Sequence, residues 1–334
     1  MKTLLYYTLI LIISILMAIG CSDSTASTEN DNDDLVACWS EKTRMPTPRY
    51  GQSSCALNGE VYVMGGMDRW SDDDACKYVE VYDPSQDTWT TKAEMLISRA
   101  NFATCVLNGK IYALGGTYNF YQGEHNTIEV YDPAQDTWTI LTTMPRGRMG
   151  PAASVVNGKI YIIGGADGGE TPIKEVDIYN PVTDTWSIGA DFPTPRYCLA
   201  AAVVNGKIYA ISGTFGRFHH YAGRPEVEEY DPITDTWARK MNINHPRRYF
   251  MACTLNDKIY VFGGADIEGE NGLAKVEEYI PATDTWTDKT DMPHFLAGAA
   301  ATAINGKAYI CGGTDVYPPI NLNTVYEYDP DLDN

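Results

Sequence analysis

Along most of this chain, apolar runs of about five residues alternate with tight polar turns, a rhythm too short for helices. In the stretch Cys105-Val106-Leu107-Asn108-Gly109-Lys110-Ile111-Tyr112-Ala113-Leu114-Gly115-Gly116 two apolar segments flank an Asn-Gly pair. Asn-Gly between apolar strands predicts a β-hairpin, because both central residues of a type I′ turn need positive φ. The turn recurs at Asn58-Gly59, Asn157-Gly158, Asn205-Gly206, Asn256-Asp257 and Asn305-Gly306. A glycine pair follows each hairpin, at Gly65-Gly66, Gly115-Gly116, Gly164-Gly165, Gly263-Gly264 and Gly312-Gly313, with Ser212-Gly213 at the fourth place. The pairs stand 48 to 51 residues apart, so the chain is one unit repeated six times.

Each unit continues into a second hairpin. Tyr82, Tyr131, Tyr179, Tyr230, Tyr279 and Tyr328 mark its first strand; Trp89, Trp138, Trp186, Trp237 and Trp286 follow seven residues later in five units. Between them stands a turn of the Asp-Pro-x-x-Asp type. Proline presets φ and aspartate bonds nearby backbone, so Asp87, Asp136, Asp184, Asp235 and Asp284 read as turn caps rather than calcium ligands. No metal and no cofactor are expected.

A twisted four-stranded sheet cannot bury both faces alone, so such units stack as propeller blades with the aromatics between them. Glycine pair, tyrosine and tryptophan at fixed spacing resemble the kelch repeat, over residues 35–334. The resemblance implies an all-β, six-bladed kelch β-propeller. Tyr328 has no tryptophan seven residues on, whereas Trp39 is followed by the Met-Pro that follows other final strands. The N-terminal strand around Trp39 is therefore expected to complete the last blade.

The ends read differently. Lys2 precedes an uncharged apolar run to Ile19, and Ala18-Ile19-Gly20-Cys21 resembles a bacterial lipoprotein processing box. Residues 1–20 are read as a signal peptide, Cys21 as the lipidated residue, and 21–34 as an acidic flexible tether. The expected location is extracytoplasmic, lipid-anchored to a bacterial membrane, in the periplasm or at the cell surface. A net charge of -19 argues against nucleic acid. Of eight cysteines, seven remain once Cys21 is lipidated, and Cys55, Cys105 and Cys253 recur at one repeat position as small core residues.

Strand alternation sends the loops within each unit and the connections between units to one face. Arg49, Arg99, Arg148, Arg196 and Arg247 each stand sixteen residues before the first residue of their glycine pair, and an acid stands two residues before the strand tyrosine at Glu80, Glu129, Asp177, Glu228 and Glu277. Such periodicity predicts scaffolding Arg-carboxylate pairs. The sixth unit has Leu296 and Tyr326 instead.

Residues on that face outside the repeat are the ligand-binding candidates: Arg69 and Trp70; Tyr118, Phe120, Tyr121 and His125; Arg146; Arg217, Phe218, His219, His220, Tyr221 and Arg224; Arg248; and Tyr317. Aromatic faces with guanidinium groups suit a planar or anionic ligand. No nucleophile–base motif stands in the chain, so a monomeric binding module for a protein segment or glycan is read ahead of an enzyme, and no catalytic residue is assigned. The resemblance extends to secreted six-bladed sialic acid mutarotases, or N-acetylneuraminate epimerases, which implies an alternative. Such an enzyme needs a carboxylate-binding arginine and an acid-base group, for which Arg217 or Arg224 with Glu226, or His219 and His220, stand ready. A copper radical oxidase of the galactose oxidase type fits less well, because no Tyr-His pair is found.

Overall fold

A computed structural model describes residues 37–68, 75–118, 123–168, 171–215, 222–266, 272–315 and 320–333. The N-terminal strand is β1 (Trp39–Glu41). Blade 1 holds β2 (Ser53–Leu57), β3 (Glu60–Met64), β4 (Val79–Asp83) and β5 (Thr88–Thr91); blade 2 holds β6 (Ala103–Leu107), β7 (Lys110–Leu114), β8 (Thr127–Asp132) and β9 (Thr137–Thr143). Blade 3 holds β10 (Ala152–Val156), β11 (Lys159–Ile163), β12 (Val176–Asn180) and β13 (Thr185–Gly189). Blade 4 holds β14 (Ala200–Val204), β15 (Lys207–Ile211), a small hairpin of β16 (Thr214–Phe215) and β17 (Ala222–Gly223), then β18 (Val227–Asp231) and β19 (Thr236–Lys240). Blade 5 holds β20 (Met251–Leu255), β21 (Lys258–Phe262), β22 (Val276–Ile280) and β23 (Thr285–Lys289), and blade 6 holds β24 (Ala300–Ile304), β25 (Lys307–Cys311) and β26 (Val325–Tyr328).

Every blade is an antiparallel four-stranded sheet, and β1 supplies the fourth strand of blade 6. Trp39 lies opposite Tyr328, as Trp89 lies opposite Tyr82 in blade 1. The first strands contact one another in a closed circle, β2 to β6, β10, β14, β20, β24 and back to β2, so they surround the axis. Aromatic pairs such as Tyr62–Tyr131, Tyr161–Tyr230 and Tyr260–Tyr328 fill the spaces between blades, with ring centroids 5.8 to 5.9 Å apart.

The turn aspartates cap their turns and also reach across the junctions. In blade 2, Asp136 Oδ1 accepts the Tyr131 hydroxyl at 2.7 Å and the Ala93 N–H of blade 1 at 2.9 Å, while Trp138 Nε1 donates to the Ala93 carbonyl at 3.0 Å. One residue of the preceding blade is thus held at both its N–H and its C=O. The same latch holds Thr43 by Asp87 and Trp89, Ala190 by Asp235 and Trp237, Met241 by Asp284 and Trp286, and Thr290 by Asp333 and Trp39. Blade 3 does not close it: Asp184 binds Tyr179 at 2.8 Å, but Trp186 Nε1 is buried without a partner.

The cause lies in β9. In blade 1, Lys92, three residues after its tryptophan, donates to the Val79 carbonyl. In blade 2 the register shifts, so that Thr142, four residues after Trp138, lies opposite Ile128. Leu141 is squeezed out into solvent, and the backbone of Thr142 is drawn into its own sheet.

All five periodic arginines are fully buried and meet the predicted acids. Arg99 Nε lies 2.9 Å from Glu129, Arg148 2.5 Å from Asp177 and Arg196 2.6 Å from Glu228; Arg49 pairs with Glu80 and Arg247 with Glu277. The sixteen-residue spacing has a reason as well, since Arg99 donates to the carbonyl of Gly115 at 2.7 Å and Arg247 to that of Gly263 at 2.9 Å. Burial lowers the pKa values of Arg99, Arg148, Arg196 and Arg247, and the facing carboxylates oppose that shift. In blade 6 Leu296 and Tyr326, both buried, replace the ion pair by apolar contact.

The first glycine of each pair, with φ between 55° and 67°, backs onto the next blade; a Cβ on Gly164 would lie 2.5 Å from the Arg196 carbonyl. Ser212, at the fourth place with φ 44°, turns its hydroxyl to the backbone of the next blade, 2.8 Å from the Arg247 carbonyl and 3.0 Å from the Arg247 N–H. Cys55, Cys105 and Cys253 are unbridged. Burial pushes the thiols of Cys105 and Cys253 up to about 12 and raises that of Cys55 further, in keeping with inert core residues.

Candidate functional site

The inter-blade connections and the loops between second and third strands meet on one face, where the first strands begin. Just before each first strand, one residue takes a left-handed conformation: Gly51, Asn101, Gly150, Cys198, Tyr249 and Gly298, with φ from 51° to 67°. Asn101 donates its N–H to the carbonyl of Gly51, Gly150 to Asn101, Cys198 to Gly150, Gly298 to Tyr249 and Gly51 to Gly298, at 2.7 to 2.9 Å. This collar surrounds an open cavity of about 110 Å³, lined by these residues and their immediate successors, among them Gln52, Phe102 and Phe250. Cys198 and Tyr249 carry side chains where glycine is the easy choice, at a cost of about 1–2 kcal/mol each. Neither stands out in the sequence, since no shared residue type marks the collar.

Beside the collar lies the blade 4 hairpin. Gly223 abuts the backbone of Pro246 and Arg247, so the hairpin packs against the connection that leads into blade 5. Arg224 forms an ion pair with Glu226 at 3.1 Å and its guanidinium sits over the Phe215 ring, 5.4 Å from the centroid. Glu226 is 8% exposed, and its second oxygen, Oε2, is buried with no hydrogen-bond partner among the described residues. Phe215, by contrast, is 54% exposed. Arg248 covers Tyr249 at 5.4 Å, carrying a second cation to the collar.

The other described candidates are more deeply tied into the scaffold. The His125 ring bonds the Ser98 carbonyl at 3.2 Å behind the Arg99–Glu129 pair, and burial first, then the charge of Arg99, lowers its pKa. Arg146 pairs with Glu175 at 2.9 Å and approaches Asp177 at 3.3 Å. Tyr118 is 40% exposed, and its carbonyl accepts the Ala75 N–H of the blade 1 loop. Arg69, Trp70, Phe120, Tyr121, Arg217, Phe218, His219, His220, Tyr221, Tyr317 and the lipidation candidate Cys21 lie outside the described residues. The structure therefore brings Arg224 together with Glu226 and Phe215, sets Arg248 over Tyr249, and ties Arg146 and His125 into the blades.

Six four-stranded sheets around a collar define the class: a six-bladed β-propeller. The kelch motif matches residues 48–96, 98–145, 246–293 and 296–333, and the KLHDC2/KLHL20/DRC7 kelch-repeats domain matches residues 140–264. The chain belongs to the kelch-repeat family. It is similar to the solved structure of YjhT, with 17% sequence identity and a TM-score of 0.74 over 85% of this chain and 95% of that one, a likeness of fold.

Proposed function

We propose that the chain is an extracytoplasmic binding module, anchored through a lipid on Cys21, which captures an anionic protein segment or glycan on its collar face. The supporting observation is the blade 4 group: an exposed aromatic ring, a partly exposed arginine stacked on it, and a buried carboxylate with one oxygen unmatched. In a protein of net charge -19, the Arg224 guanidinium, partly exposed and held over the Phe215 ring, gives an anion a favourable landing place. The stacked ring adds a flat surface for a sugar or peptide unit. A glycan and peptide array probed with residues 35–334 tests this. Retention of an acidic ligand, lost in Arg224→Ala and Phe215→Ala, is the expected result; an empty array together with turnover of a sugar acid reverses the reading. Incorporation of labelled fatty acid, abolished by Cys21→Ser, tests the anchor.

The same group favours one second reading, a sugar-acid mutarotase. Arg224 would hold the substrate carboxylate and Glu226 would exchange a proton with the anomeric centre. Anomer exchange of N-acetylneuraminate followed by NMR decides: a rate above background, lost in Glu226→Gln, establishes the enzyme, and no rate above background removes it.

A further inference from the structure

We infer that blade 5 carries a binding site for a first-row transition dication of the zinc type, formed by His245, Glu277 and Asp288. His245 Nδ1 lies 3.5 Å from Glu277 Oε2 and 3.8 Å from Asp288 Oδ1. The three ligand atoms all lie within 4.8 Å of one another. Hydrogen bonds of this kind run at about 2.7–3.2 Å, so neither contact is one. Ligands bound at about 2.0–2.1 Å around one ion stand roughly 3.0–3.4 Å apart, so the separations need only a small contraction. Asp288 is exposed on β23, and its Oδ1 accepts a hydrogen bond from the Asn244 amide at 3.2 Å, a contact at the surface that an ion would share or displace.

Two further observations point to an ion rather than to packing. His245 Nδ1 is buried and makes no hydrogen bond, so its lone pair or proton lacks a partner among the described residues. The set is also specific to this blade. The place of His245, two residues before the periodic arginine, holds Thr47, Ile97, Arg146, Thr194 and His294 in the other units. There Thr47 and Thr194 donate their hydroxyls to the strand acid, and Arg146 pairs with it. The place of Asp288, two residues after the tryptophan, holds Glu41, Thr91, Ile140, Ile188 and Arg239. Blade 6 has the imidazole, His294, and the acid, Glu41, but Tyr326 stands between them in place of the carboxylate.

The charges allow it. Glu277 Oε2 already accepts Arg247, yet a carboxylate offers about four lone-pair positions and can bridge a guanidinium and a metal. Asp288 and Asp291 both act on Arg247 as well, so the surroundings are acidic overall. An imidazole with two carboxylates selects a borderline dication over Ca²⁺ or Mg²⁺, which prefer all-oxygen shells.

The test is calorimetric titration of the full-length, chelator-treated protein with ZnCl₂, repeated on His245→Ala, Asp288→Asn and His294→Ala. His219 and His220 lie elsewhere in the chain and could add weaker zinc binding, so the readout is the difference between proteins. Wild type and His294→Ala should bind one equivalent more than His245→Ala, or bind that equivalent at least tenfold more tightly, and Asp288→Asn should follow His245→Ala. Asp288 is exposed, so Asp288→Asn keeps the metal-free melting temperature and separates loss of a ligand from loss of the fold. Zinc binding that is absent in wild type, or unchanged in both site variants, overturns the proposal.

Discussion

Five blade junctions are fastened by the same bidentate latch, and the junction between blades 2 and 3 is not. Thr43, Ala93, Ala190, Met241 and Thr290 each have their N–H and C=O held by an aspartate and a tryptophan of the following blade. The sixth tryptophan, Trp186, has an identical place in its own sheet, opposite Tyr179. What differs is the neighbour. The β-favouring run Thr139-Ile140-Leu141-Thr142-Thr143 extends β9 to seven residues and takes the backbone that Trp186 would hold. A latch therefore depends on where the preceding strand stops, not only on the residues that carry the donor and acceptor.

The largest effect should come from removing residues 1–43, because two of the five latches pass through this segment: Trp39 fastens Thr290, and Thr43 is fastened by blade 1. Loss of a fully buried tryptophan and of the strand that carries it should cost more than about 5 kcal/mol. Chemical denaturation measures this, and an unchanged midpoint would refute the closing role of β1. Next, Trp138→Phe removes a satisfied hydrogen bond and Trp186→Phe an orphaned donor, so the first should cost about 1 kcal/mol more than the second. Equal costs would show that the two junctions do not differ.

Converting the seam is a gentler test. Replacing Ile140, Leu141, Thr142 and Thr143 with the blade 1 residues (Ile140→Thr, Leu141→Lys, Thr142→Ala, Thr143→Glu) should end β9 early, close the latch and add about 1 kcal/mol. The Trp186 indole proton, followed by NMR, should then exchange more slowly. The smallest effect is in pH. The Ala93 N–H, followed by the Tyr131 hydroxyl, holds the Asp136 carboxyl below its usual value. A depressed folded-state pKa means stability that is full above the unfolded value and lost as pH falls through the folded one. Wild type should therefore lose stability below about pH 4, and Asp136→Asn should lose less over that window.

Much of this architecture was legible in the residues. Asn-Gly turns, glycine pairs and the Tyr–Trp register impose strand number and blade closure through local backbone preference alone. The Arg-carboxylate pairs were readable because both partners recur at fixed places, and in the sixth unit arginine and acid vanish together, replaced by Leu296 and Tyr326. The latches were half visible: Asp136 and Trp138 announce a donor and an acceptor, but their partner is a backbone, and Ala93 and Thr142 look equally ordinary. The collar was invisible for a similar reason, since asparagine, cysteine, tyrosine and glycine share its left-handed place. Of the aromatic and cationic candidates, position alone could not tell Arg224, which pairs with one carboxylate and stacks on Phe215, from Arg146, which two carboxylates take up.

The collar limits what this protein can recognise with. The main-chain amides of Gly51, Asn101, Gly150, Cys198 and Gly298 already donate to carbonyls of the collar itself, so these five peptide N–H groups are spent on closing the ring. Side chains carried around the rim are free of that duty, and a change of ligand can therefore be reached by substituting them while the wheel beneath stays untouched.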